Sequence, residues 1–190
     1  MTRTSIPTAA LLALAMLPMT AVAQSQTTAS APAPAPTDPD GHGPIAPNCA
    51  ADGYRAFDFW LGDWNVENTD GGPLGTNTIS RISNGCAVLE HWVSGSGIPG
   101  QSLNHFDPAT ATWHQRWVGG NGQILELSGG LEGESMVLSG EREGPNGGAV
   151  IDRVTWTPQA DGSVVQDWQI SQDGGETWQA AFYGIYKPKD

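Results

Sequence analysis

Tyr54-Arg55-Ala56-Phe57-Asp58-Phe59-Trp60-Leu61-Gly62-Asp63-Trp64-Asn65-Val66 decides how the rest of this chain is read. Five aromatic side chains fall between Tyr54 and Trp64, and the stretch runs directly into an alternating strand. A segment this apolar needs burial. Nothing before it can cover it, so it reads as the plug and first strand of a β-structure whose other strands all follow.

Downstream, short alternating runs are separated by Gly, Pro, Asn and Asp clusters. The strands are expected at 62–68, 75–83, 86–93, 101–106, 112–118, 123–127, 136–139, 149–157, 163–171 and 177–187. Asn84-Gly85 is a tight hairpin signal, and a Gly/Glu-rich turn is expected between the sixth and seventh strands. No helical stretch is expected after Trp60. Every connection is hairpin-length, so sequence neighbours should pair antiparallel. The expected fold is all-β: about ten strands in an up-and-down barrel. Closure removes the two exposed edges. A barrel wider than eight strands outgrows what side chains alone can fill, so an internal cavity is expected.

Upstream, Met1–Ala23 has the form of a secretory signal peptide: Arg3, the apolar run from Ala9 to Leu17, then Ala21-Val22-Ala23. Residues 24–47 are rich in Ala, Pro, Thr and Ser and read as a disordered linker. The folded domain is expected over 48–190. No apolar run reaches the roughly 20 residues of a spanning helix, so no membrane insertion is expected. The formal net charge of −12 disfavours nucleic acid and anionic lipid as partners. Cys49 and Cys86 are the only cysteines, and an even count in an exported chain points to one disulfide. A periplasmic or extracellular location follows from these readings. Oligomeric state does not.

At Gly62-Asp63-Trp64 the chain resembles the calycins, in which a Gly-x-Trp opens the first strand after a short helical turn. More specifically, it resembles exported bacterial proteins of the domain-of-unknown-function family numbered 1579. The residues that carry the likeness are Phe57 to Trp64, Gly85-Cys86, Trp113-His114-Gln115-Arg116-Trp117, Arg153-Val154-Thr155-Trp156-Thr157-Pro158 and Asp173-Gly174-Gly175-Glu176-Thr177-Trp178. The resemblance implies a lipocalin-like barrel and little about activity. The chain departs from lipocalins, which carry a basic residue on the last strand over the motif Trp; here Lys187 is the first cation there. It departs from nitrobindin-like barrels, which hold haem by a late His. The histidines here are His42, His91, His105 and His114, so no haem or other cofactor is expected.

Side chains alternate across a strand. Trp113, Gln115 and Trp117 share one face of the fifth strand, and Gln166 and Trp168 share one face of the ninth. The aromatic faces are the expected interior. Gln beside Trp gives π surfaces with amide hydrogen bonds, which suits an organic ligand with an apolar body and a few polar groups; a filled core, with Gln bonded to backbone, is the competing reading. If Pro108–Ala111 is a four-residue loop, Asp107 faces Thr112 and His105 faces His114. Asn104 then faces Gln115, Phe106 faces Trp113 and Ser102 faces Trp117. Ser102 and Asn104 thereby join the interior set. His105 and His114 fall outside as a surface pair, and no metal site is expected.

Glu90 and Trp92 share a face of the third strand. A lumenal Glu90 needs a donor or cation, since a lone buried carboxylate is costly. Arg153 is a candidate partner whose facing the sequence leaves open; the pair would form a ligand clamp or acid/base couple. Ser171–Trp178 fits the S-x-D-x-G-x-T-W brace of a hairpin. The leading expectation is an exported barrel binding a small hydrophobic or amphipathic molecule. Two alternatives stand beside it: an isomerase, hydratase or cyclase using Glu90, and an envelope module that binds protein through its outer surface.

Overall fold

The computed structural model describes residues 49–189. The expected signal peptide, the linker, His42 and the proposed domain start at Asn48 all lie outside the described residues. Two short turns precede the sheet: α1 (Asp52–Arg55) and a 3-10 turn (Asp58–Trp60). Ten strands follow: β1 (Gly62–Glu67), β2 (Pro73–Ile82), β3 (Ala87–Ser94), β4 (Pro99–Asp107), β5 (Thr112–Gly119), β6 (Ile124–Glu132), β7 (Ser135–Glu143), β8 (Ala149–Pro158), β9 (Val164–Ser171) and β10 (Gln179–Pro188). Each pairs antiparallel with its sequence neighbours, and β1 pairs with β10 from Trp64↔Pro188 to Glu67↔Ile185. The fold is a closed ten-stranded up-and-down barrel of the calycin/lipocalin-like kind.

The register of β4 against β5 is the expected one, with Asn104↔Gln115, His105↔His114 and Asp107↔Thr112. Two local expectations are corrected. The strands β6 and β7 run much longer than the pattern suggested, because Gly129 and Gly130 lie within β6 rather than in a turn. A Cβ at Gly129 would collide with the Val137 carbonyl, so the two backbones meet where only glycine fits. The turn itself is reduced to Gly133-Glu134 between the paired residues Glu132 and Ser135. The β2–β3 connection is not a two-residue hairpin either. It spans 83–86, with Ser83, Asn84 and Gly85 all at positive φ. That wider turn carries Cys86 outside β3, where it bonds to Cys49.

One end of the barrel is stoppered by the aromatic stretch. Phe57 and Trp60 are fully buried and stack at 4.7 Å. The Phe57 ring meets Trp113 of β5 and Trp156 of β8 edge-on at 5.6 and 5.2 Å. Trp113 Nε1 donates to the Gly53 carbonyl at 3.0 Å, and Arg81 of β2 forms an ion pair with Asp58. Gly62 sits at φ +140°, a conformation side chains rarely adopt. This sharp entry swings Trp64 inward, where its Nε1 donates to the Trp60 carbonyl at 3.0 Å. In place of a basic residue, Tyr186 of β10 covers Trp64 edge-on at 6.1 Å. The Cys49–Cys86 bridge, 37 residues apart in sequence, ties the start of the plug to the β2–β3 turn. In the chain-entropy account a loop of that length contributes about 4 kcal/mol.

The brace at 171–178 also forms. Asp173 accepts from Ser171 Oγ, from the Thr177 amide and from Thr177 Oγ1, and these donors hold its carboxyl at about 2. Trp178 Nε1 donates to the Gly175 carbonyl.

Replacing Phe57 with Ala removes the centre of the stopper. The expected loss is about 3–5 kcal/mol in urea unfolding, the range for a large aromatic cut from a packed core; a loss under about 1 kcal/mol would show that the plug does not carry the barrel's stability.

Candidate functional site

The barrel is hollow beyond its plug. A cavity of about 380 Å³ opens at the opposite end, where the 94–98 and 119–123 connections form its rim. Its walls are aromatic: Trp92, Trp117, Trp168 and Phe182 are all half-buried there. Glycines on neighbouring strands leave room for two of these rings. A Cβ at Gly100 would collide with the Trp117 ring, and one at Gly75 would press on the Trp92 ring.

The cavity narrows to a polar floor. Glu90 is 5 % exposed and lines it together with Gln115, Gln166 and Tyr186. Glu90 Oε1 accepts from Asn77 Nδ2 at 2.7 Å, and Oε2 accepts from Ser102 Oγ at 2.6 Å. Ser102 Oγ in turn accepts from Asn104 Nδ2 at 2.9 Å, and Asn104 Oδ1 accepts from Gln115 Nε2 at 2.8 Å. The direction of this chain is set by the backbone. Asn104 Nδ2 also donates to the Val88 carbonyl at 3.2 Å, and a carbonyl can only accept. Asn104 Oδ1 must then face Gln115, and the hydroxyl hydrogen of Ser102 is free for Glu90. On the other side Asn77 Nδ2 reaches Tyr186 Oη at 3.3 Å, and Tyr186 donates to Gln166 Oε1.

Two of these groups, Asn77 and Ser102, thus donate to Glu90 as an acceptor. Burial works the other way. It pushes the Glu90 carboxyl up to about 7, against the hydrogen bonds from Ser102 and Asn77 that pull it down. The Tyr186 phenol is raised well above its ordinary value by burial and by the nearby Glu90 charge.

Nine of the ligand-binding and catalytic candidates read from the sequence gather on the inner face. Glu90, Trp92, Gln115, Trp117, Gln166 and Trp168 line the cavity. Ser102 and Asn104 are buried beneath it, and Trp113 packs against the plug rather than the cavity. Arg153 is the exception and is corrected here. It lies on the outer face, donating to Gln169 Oε1 at 3.1 Å and resting 4.0 Å over the Trp178 ring. No Glu90–Arg153 pair forms. The reason is parity: Val150, Asp152, Val154 and Trp156 are the buried set of β8, so Arg153 must face out.

The interior ion pair is a different one. Arg142 Nε donates to Asp152 Oδ2 at 2.7 Å, and Asp152, 1 % exposed, also accepts from Trp168 Nε1 at 2.8 Å. Asp152 therefore fixes the wall tryptophan. This pair, Asn77 and Tyr186 are not among the residues expected from the sequence. The shared parity of Asp152 with Trp156 was the available signal.

His105 and His114 stack on the outside at 5.2 Å, and no group of three or more His, Cys, Asp or Glu among the described residues is placed to hold a metal. No helix among them is long and apolar enough to cross a membrane. The cavity-bearing calycin-like barrel is thus the class that fold and site define. No protein-family model matches the chain, and a search of curated proteins found no match.

Two outcomes follow from the site. Between about pH 4.5 and 7 the folded chain holds a proton on Glu90 that the unfolded chain releases. Stability is fullest below that window and falls as pH rises through it, by on the order of 3 kcal/mol. Urea unfolding across pH 4.5–8 should show this fall in the native chain and a flatter profile in Glu90→Gln; parallel profiles would rule out Glu90 as the titrating group. Asp152→Ala leaves Arg142 and Trp168 Nε1 without their partner, and a loss of roughly 3 kcal/mol is expected in the same assay.

Proposed function

We propose that this chain is an exported carrier of a small hydrophobic or amphipathic molecule, held in the aromatic cavity with its polar end toward the Glu90 floor. The observation that carries this reading is the cavity itself: about 380 Å³, open at one end, with tryptophan walls and a hydrogen-bonding floor. That combination of apolar surface and a few oriented polar groups is what organic ligand sites share. The disulfide supports export to an oxidising compartment such as the periplasm. The motif residues between Phe57 and Trp178 support placing the chain among the exported barrels of the family numbered 1579.

A second reading rests on a different observation. A buried carboxyl at about 7 that lines a cavity is poised for proton transfer near neutrality. An isomerase, hydratase or cyclase of an apolar substrate would use Glu90 in that role. Turnover of a bound ligand that is lost in Glu90→Gln, with affinity kept, would favour it over simple carriage.

The carrier reading is tested with N-phenyl-1-naphthylamine, an apolar probe that brightens when it leaves water. Saturable enhancement with a micromolar Kd is expected, abolished by Leu125→Trp, which fills the cavity from β6. A folded protein that gives no saturable signal, or an undiminished signal in Leu125→Trp, would overturn the reading.

A further inference from the structure

Resting on the carrier reading, we propose that the cavity selects an organic ammonium: a flat or apolar body bearing a protonated amine that docks on the Glu90 carboxylate. Among the described residues that line the cavity, Glu90 is the one charged side chain. Arg142 and Asp152 neutralise one another on β7 and β8. Glu90 has two donors and no cation. The next cation–carboxylate pair, Arg81 with Asp58, belongs to the plug.

The donors on Glu90 are arranged for the carboxylate form. The Val88 carbonyl fixes the direction of the Gln115–Asn104–Ser102 chain, so Ser102 arrives at Oε2 with its hydrogen forward. Asn77 arrives at Oε1 with an N–H. A ligand carboxylate or phosphate would meet like charge at this floor. A neutral alcohol would find acceptors but leave the charge uncompensated. An ammonium brings N–H donors and the missing positive charge together. On its free side the carboxylate has lone pairs to spare, and beside it Asn77 Oδ1 is a buried acceptor with no hydrogen-bond partner.

The walls agree with the floor. Trp92 shares the inner face of β3 with Glu90, and Trp117 stands opposite Ser102 across the β4–β5 pair. Indole faces attract a cation, most strongly where water is excluded. The net charge of −12 adds long-range attraction for the same sign of ligand.

The test uses three probes with one ring system: tryptamine, indole-3-ethanol and indole-3-propionate, titrated calorimetrically into the full barrel at pH 8. Tryptamine is expected to bind at least about tenfold tighter than the alcohol, with the carboxylate weakest. Glu90→Gln should bring the amine and the alcohol within about twofold of each other. Tryptamine stays protonated below about pH 10. Its affinity should therefore follow Glu90 ionisation, falling about tenfold from pH 8 to pH 6.

The remaining interior groups do not account for that profile. Tyr186 stays neutral throughout the range, and Asp152 faces Arg142 on the opposite wall from Glu90. In Glu90→Gln the profile should flatten. Equal affinity for amine and alcohol in the native chain, or a preference that survives in Glu90→Gln, would overturn the proposal. If N-phenyl-1-naphthylamine binds and the amine has no advantage, the ammonium inference falls and the carrier reading stands. If neither that probe nor any of the three indoles binds, both fall.

Discussion

A β-sheet has two edges unless its first strand meets its last, and every other feature of this structure depends on that meeting. The β1–β10 ladder removes the open edges and fixes the circumference at ten strands. Ten strands enclose more width than inward side chains fill. The chain resolves the surplus in two ways along one axis. At one end the short turns after Cys49 push Phe57 and Trp60 into the bore as packing. At the other the width is left as cavity. The same closure brings β10 beside β1, and so places Tyr186 over Trp64 and within reach of Asn77. The floor of the cavity is therefore a product of closure, not of any single hairpin.

Burial and hydrogen bonding oppose each other at Glu90, and their balance gives the site its character. Burial alone would leave a neutral acid. The donors from Ser102 and Asn77 alone would leave a fully ionised one. The result near neutrality is a carboxyl whose charge responds to what shares the cavity. Asp152 shows the contrasting solution on the opposite wall: a buried carboxylate matched by Arg142 and used to hold an indole in place.

Much of this is legible in the sequence. Turn residues at regular spacing give ten hairpin-linked strands, and closure follows from the edge argument. The Pro108 loop sets the β4–β5 register, which in turn puts Ser102, Asn104, Gln115 and Trp117 on one face. What stayed hidden has physical causes. Gly129-Gly130 reads as a turn because glycine is a poor strand former; the close approach of β7 explains Gly129, while nothing in the structure requires glycine at 130. Asn77 and Tyr186 come from strands 109 residues apart, and no local pattern links them. Arg142 sits between Glu141 and Glu143 and reads as solvated surface, although its side chain turns inward. Arg153 was within reach of parity, since its neighbours Asp152 and Val154 alternate with it and Val154 and Trp156 are the apolar set.

The stopper makes this barrel a cup and not a tube. With Phe57 and Trp60 filling one end, the cavity among the described residues opens at the other, so on the carrier reading a guest enters and leaves by one doorway. Arrival and departure are then governed by the same rim, the connections after β3 and β5. On that reading, altering those loops changes how long a guest stays and leaves the Glu90 floor untouched, so dwell time and chemical choice reside in separate parts of one chain.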